Sequence, residues 1–174
     1  RWTVLLTSLF LLLPSVHEAV RADVALASIF TDHMVVQRDR ELPIWGTAAD
    51  GEDVTVTLGD QTAVTKAVGG KWMVKLKAFP AGGPLTLAVA GKNTVTISDI
   101  LVGEVWICSG QSNMAWTLKD TQDAEAAIAA AGDPQLRLVT VPRVAKDQPQ
   151  DSFEAAWTPA TPESVTNFSA VGYY

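Results

Sequence analysis

The stretch Cys108 to Met114 reads CSGQSNM, a polar loop that places Ser112 between two amide side chains, Gln111 and Asn113, just after Gly110. Those residue types suit acyl transfer. A serine hydroxyl can attack an ester carbon, a glycine permits the tight turn that exposes it, and backbone N–H groups nearby can hold the oxyanion that forms. The same composition also suits an ordinary turn, because serine and glycine are common in loops that do nothing but reverse the chain. A serine nucleophile needs a base within hydrogen-bond reach. The chain has two histidines, His17 and His33.

The loop must be positioned by what precedes and follows it. DILVGEVWICSG is nearly continuous in apolar residues and ends at a glycine, which predicts a strand over 103–108 buried on both faces of a parallel sheet. DAEAAIAAA predicts a helix, with Asp120 and Thr121 ahead of it and Gly132 and Pro134 behind as start and stop signals. LRLVTVP reads as a second strand, and FSAVGYY opens as a helix. Strand, loop, helix, strand is the beginning of an α/β unit, whose ligands bind beyond the carboxyl ends of the strands. Ser112 would lie there.

Residues 24–100 have another texture. LASIF, MVVQ, LPIWGTA, DVTVTLG, QTAVTKAV, KWMVKLKAF, LTLAVAG and NTVTI are short segments bounded by glycine, proline, Asp or Asn. VTVTL and WMVKL alternate apolar and polar residues, the pattern of a strand with one wet face. Seven or eight such strands predict a β-sandwich. The expected organisation is therefore a leader over 1–22, a β-sandwich domain over 23–100, and the start of an α/β domain over 101–174.

The leader, RWTVLLTSLFLLLPSVHEAVRA, has a basic start, an apolar run, Pro14 and small residues at a cleavage position, as a secretory signal does. A membrane anchor is the competing reading, but the apolar run from Val4 to Leu13 falls short of the ~18 residues needed to span a bilayer. Export to the periplasm, the cell exterior or a eukaryotic lysosome follows, and His17 leaves with the leader. Because the chain starts at Arg1 and not Met, the sequence is expected to be part of a longer protein. The net charge of −6 argues against nucleic acid or an anionic membrane surface as partner. The single cysteine excludes an internal disulfide, and no CxxC or histidine-rich cluster suggests a metal.

Several longer strings carry a family likeness. GEVWICSGQSNM resembles the block around the nucleophile in the sialate O-acetylesterase family, a branch of the SGNH hydrolases with a three-layer, flavodoxin-like α/β fold. FTDHMVVQRDRELPIWGTA is similar to that family's amino-terminal signature. GGKWMVKL, AGGPLTLAV, Trp157 and FSAVGYY are similar to its later landmarks, in order. The resemblance implies that Ser112 is the nucleophile and its own N–H an oxyanion donor, with Gly110, Gln111 and Asn113 holding the loop. It also implies further donors from a later glycine and asparagine, and a base from the histidine of a later DxxH motif. These are not found in this chain, which is thus expected to be silent by itself. The implied activity is removal of acetyl groups from sialic acid or other acetylated glycans, with neither cofactor nor metal.

Other residues have plainer readings beside functional ones. His33 is read as a structural hydrogen-bonding residue rather than a base. Trp45, Trp72 and Trp106 are expected in the core rather than stacked on sugar, while Trp116, close to the serine, fits a substrate wall equally well. Asp120 and Asp123 are expected at a helix start, and Cys108 is expected to be inert packing in a core. Asn167-Phe168-Ser169 is a glycosylation sequon only in a host that glycosylates. The alternative to an esterase is a sugar- or partner-binding sandwich with the α/β part as scaffold.

Overall fold

The computed structural model describes residues 23–174. The leader over 1–22, with His17, lies outside the described residues. Eight strands come first: β1 (Ala25–Leu26), β2 (Val35–Gln37), β3 (Leu42–Thr47), β4 (Asp53–Leu58), β5 (Gln61–Lys66), β6 (Lys71–Leu76), β7 (Gly82–Ala90) and β8 (Thr94–Gly103). Their order is β1-β3-β6 in one sheet and β2-β8-β7-β4-β5 in the other. All pairings are antiparallel except β2 with β8, which makes the larger sheet mixed.

The alternation read from the sequence is the burial pattern seen. Val54, Val56 and Leu58 of β4 point inward, as do Trp72, Val74 and Leu76 of β6, and these join Ile44, Leu87, Val89 and Ile100 in one apolar cluster between the sheets. Lys71, Met73 and Lys75 take the wet side of β6. The turn Gly69-Gly70 has both residues at positive φ, which side chains disfavour and glycine does not. LASIF is the exception among the eight segments: β1 takes only its first residue, and the rest turns.

The strand expected over 103–108 is not formed. β8 ends at Gly103, and residues 104–110 carry no strand. Trp106 is 82% exposed and Ile107 91% exposed. Apolar character selected these residues for a sheet, but a strand also needs neighbours to take its N–H and C=O groups, and none pairs with this segment among the described residues. Cys108 is accordingly exposed and not in a core. Of the tryptophans expected inside, Trp72 is buried, Trp45 lies at the surface edge-on to Phe30, and Trp106 is exposed.

Beyond the loop the elements are short. A 3-10 turn at Leu118–Asp120 precedes α1 (Ala124–Ala130), then β9 (Arg137–Leu138), β10 (Thr158–Pro159), α2 (Pro162–Thr166) and α3 (Ala170–Tyr173). LRLVTVP thus gives a strand only at Arg137 and Leu138, paired antiparallel with β10. Asp123 occupies the N-cap of α1 as expected but makes no side-chain cap bond. Leu118, Ala131, Leu138, Ala160, Val165 and Ala170 form a second, separate apolar cluster.

Candidate functional site

Residues Ser112–Ala115 form a turn, with Ser112 exposed. The Ala115 N–H donates to the carbonyls of Gln111 (3.2 Å) and Ser112 (3.1 Å), and the Trp116 N–H to that of Asn113 (3.3 Å). These bonds fix the backbone around the hydroxyl. Gly110 contributes close approach: a Cβ there would sit 3.2 Å from the Met114 Cβ, tighter than side chains normally accept. Gln111 and Asn113 are both exposed, flanking the serine without bonding to it.

The loop is clamped from behind by the segment that opens α3. Leu118 N–H donates to the Phe168 carbonyl (3.0 Å), and Ala170 N–H to that of Trp116 (2.9 Å). The Ser169 hydroxyl lies 3.3 Å from the Met114 sulfur. Gly172 leaves just enough room for Cys108, whose sulfur would stand 3.2 Å from a Cβ at that position. The Trp116 indole donates to the Asp120 carbonyl at 2.9 Å, so the ring is held beside the loop though 55% exposed. The Asp120 carboxylate accepts from Thr117, a local turn contact.

His33 does not turn toward a serine; its Nδ1 lies 2.7 Å from the Asp99 carboxylate. Arg137 reaches the same carboxylate with both terminal guanidinium nitrogens, at 2.7 and 3.2 Å. Hydrogen bonds from Arg137 first and His33 second hold the Asp99 carboxyl down to about 2. Neighbouring Asp32 is lowered as well, chiefly because its carboxylate accepts the Ser98 backbone N–H. Asp99 and Arg137 carry no motif in the sequence. Their one-dimensional signal is nil, since the partners lie 66 and 38 residues apart.

A second contact joins the two parts of the chain. Phe153 N–H donates to the Ser28 hydroxyl (3.0 Å), Trp157 N–H to the Thr31 hydroxyl (3.0 Å), and the Trp157 indole to the Ile29 carbonyl (3.1 Å). Trp157 packs against the core between the sheets. A shallow depression beside β9, lined by Leu138, Thr140, Glu154, Thr158 and Phe168, contains no residue of the serine loop.

No family model matches the chain. Human sialate O-acetylesterase is 31% identical over 80% of this chain, and the mouse protein 31% over 78%. The chain is a homologue of the sialate O-acetylesterases. It spans 30% and 28% of the lengths of those two relatives. The crystal structure of a carbohydrate acetylesterase from Xanthomonas citri superposes with a TM-score of 0.84 at 39% identity, over 86% of this chain and 35% of that one. That homology gives the GEVWICSGQSNM block its setting, in a fold shared with an esterase that acts on carbohydrate.

Proposed function

We propose that this chain carries the nucleophile of a secreted carbohydrate O-acetylesterase. Ser112 Oγ attacks the carbonyl carbon of an acetyl ester on a glycan hydroxyl, sialic acid or another acetylated sugar, and gives its proton to a base. The oxyanion accepts a hydrogen bond from the Ser112 N–H. The sugar leaves as its alcohol with that proton, and water then attacks the acetyl-serine, releasing acetate and restoring the hydroxyl. Gly110, Gln111 and Asn113 keep the turn in shape, and Trp116 walls the substrate. We place the histidine base in the part of the relatives' length that this chain does not span.

In this reading the paired sheets are a β-sandwich domain over 23–100, and residues 101–174 open a three-layer α/β domain of SGNH type, after a cleaved leader over 1–22. Strand β8 then crosses the domain boundary and carries the loop. Further strands of the α/β domain would cover Trp106 and Ile107 and let residues 104–108 pair as a strand.

The observation that supports this most is the exposed Ser112 hydroxyl on a turn fixed by backbone bonds on both sides. The test is Ser112→Ala in the full-length protein, assayed for acetate release from an acetylated sugar. The expected loss is about 10⁴-fold or more in kcat, with KM and melting temperature little changed. Retained turnover would return Ser112 to an ordinary turn residue and favour a glycan-binding module.

A further inference from the structure

Strand β8 contains an extra residue relative to β7: Leu87 pairs with Ile97 but Leu85 with Ile100. This is a bulge at Ser98–Asp99, and Asp99 sits in it at φ 53°. Bulges re-aim side chains at the expense of local pairing, and a non-glycine residue in this region of φ is uncommon and demands compensation. The compensation is visible. Asp99 meets Arg137 through a two-pronged contact and His33 through the same Oδ2, and His33 is itself at φ 66°. The Arg137 side chain is only 4% exposed, against 35% for Asp99. A guanidinium that far from water must be paired, and its Nε also donates to the Pro134 carbonyl at 2.8 Å.

Arg137 stands in β9, which has no sheet support beyond two residues of β10. Its neighbour Leu138 belongs to the second apolar cluster with Leu118 and Ala170, whose backbone bonds clamp the segment just after the serine loop. Asp99 stands in β8, whose next residues lead directly to that loop. The contact therefore ties the loop's supporting cluster to the strand from which the loop departs.

We infer that Asp99, gripped by Arg137 and braced by His33, is a positioning residue that fixes the serine loop and its supporting cluster on the sheets. The inference rests on the esterase reading for its catalytic consequence, but not for its structural one. Planar two-pronged pairing sets direction as well as distance, so its loss lets the second cluster shift relative to β8. Misplacement of about 1 Å at a reacting group can cost about 100-fold in rate.

The experiment compares Asp99→Asn, Arg137→Gln and the double variant in the full-length protein, with Arg137→Lys as the conservative change. Asn tolerates positive φ as well as Asp does, so Asp99→Asn removes charge while leaving the bulge. Amide exchange is read at residues 111–118 and 137–140 against β4, together with kcat and KM on an acetylated sugar. The expected result is faster exchange around the loop and β9 with β4 unchanged, and a kcat loss of about 10- to 100-fold at near-constant KM. The double variant should be no worse than either single one, and Arg137→Lys should fall between wild type and Arg137→Gln. Unchanged exchange in both single variants, or losses that add in the double, would overturn the inference, and Arg137→Lys decides the matter if Arg137→Gln fails to fold. Ser112→Ala, run in parallel, should stop turnover without altering exchange. A wild-type protein without turnover would sink the esterase reading, while the exchange data would still decide the positioning role.

Discussion

The two apolar clusters of this chain are built from different materials. Between the sheets, long strands alternate inward and outward, and Ile44, Val54, Val56, Leu58, Leu87 and Ile100 lose all contact with water. Around the serine loop, six buried residues come one each from a 3-10 turn, β9, α2 and α3 and from the chain just after α1 and β10, while Trp106 and Ile107 stand in solvent nearby. The first region closes its own core. The second is held to the sheets by attachments: the Arg137–Asp99 pair and the contacts of Phe153 and Trp157 with Ser28, Ile29 and Thr31. On the reading proposed for Ser112, a rigid platform with a tethered loop would let one hydroxyl be set accurately while its surroundings are assembled from several parts.

The contrast predicts that equal truncations cost unequal amounts. Leu58→Ala opens a hole among strands that cannot collapse inward without breaking ladder bonds, and about 3 to 4 kcal/mol is expected. Leu118→Ala, in a 3-10 turn with short neighbours free to settle, should cost about 2 kcal/mol. Urea unfolding of the two variants measures the difference, and equal costs would erase the distinction between the clusters.

A smaller effect tests how tightly the platform is closed. A Cβ on Gly46 would run into the Ala25 carbonyl oxygen and the Trp72 ring. Gly46→Ala must push β1 away from β3 or move a buried indole that donates to the Thr47 carbonyl at 3.0 Å. Overpacking of this kind costs about 1 to 3 kcal/mol. A melting temperature equal to wild type would mean that β1 is loosely held, and that the sheets are less closed than their burial implies.

The same contrast governs what could be read in one dimension. VTVTL and WMVKL announce their strands because period-two alternation and glycine turns are local signals, and β4 and β6 follow them residue for residue. Val105-Trp106-Ile107 announces only that it is apolar. What covers it is a property of neighbours, which the string does not carry, and among the described residues no strand pairs with it. The GQSN loop is legible as a string, yet its clamp by Phe168 to Gly172 is tertiary. Helix α2 begins with a reciprocal cap, Thr161 accepting from Ser164 N–H and Ser164 from Thr161 N–H. Serine in place of the usual Glu or Gln hides that signal. Asp99 is least legible of all, since its role depends on a bulge and on Arg137, 38 residues later.

The smallest expected effect on global stability concerns Asp99 and pH. Its carboxyl is lowered from an ordinary 3.8 to about 2 by Arg137 and then His33, so the folded chain binds that proton less readily than the unfolded one. Stability from this source is therefore fully present above about pH 4 and is lost as pH falls toward 2. The carboxylate is one-third exposed and partly screened by solvent, which keeps the effect modest beside Leu58→Ala or Gly46→Ala. Asp32 is lowered too and also gives up stability as acid is added, so the quantity to measure is the gap between wild type and Asp99→Asn. Urea midpoints at pH 5 and at pH 2.5 should show that gap narrowing with acid. A gap of constant size would mean that Asp99 acts through its geometry in the bulge and not through its charge, and the charged part of the attachment would then count for less than the Phe153 and Trp157 contacts.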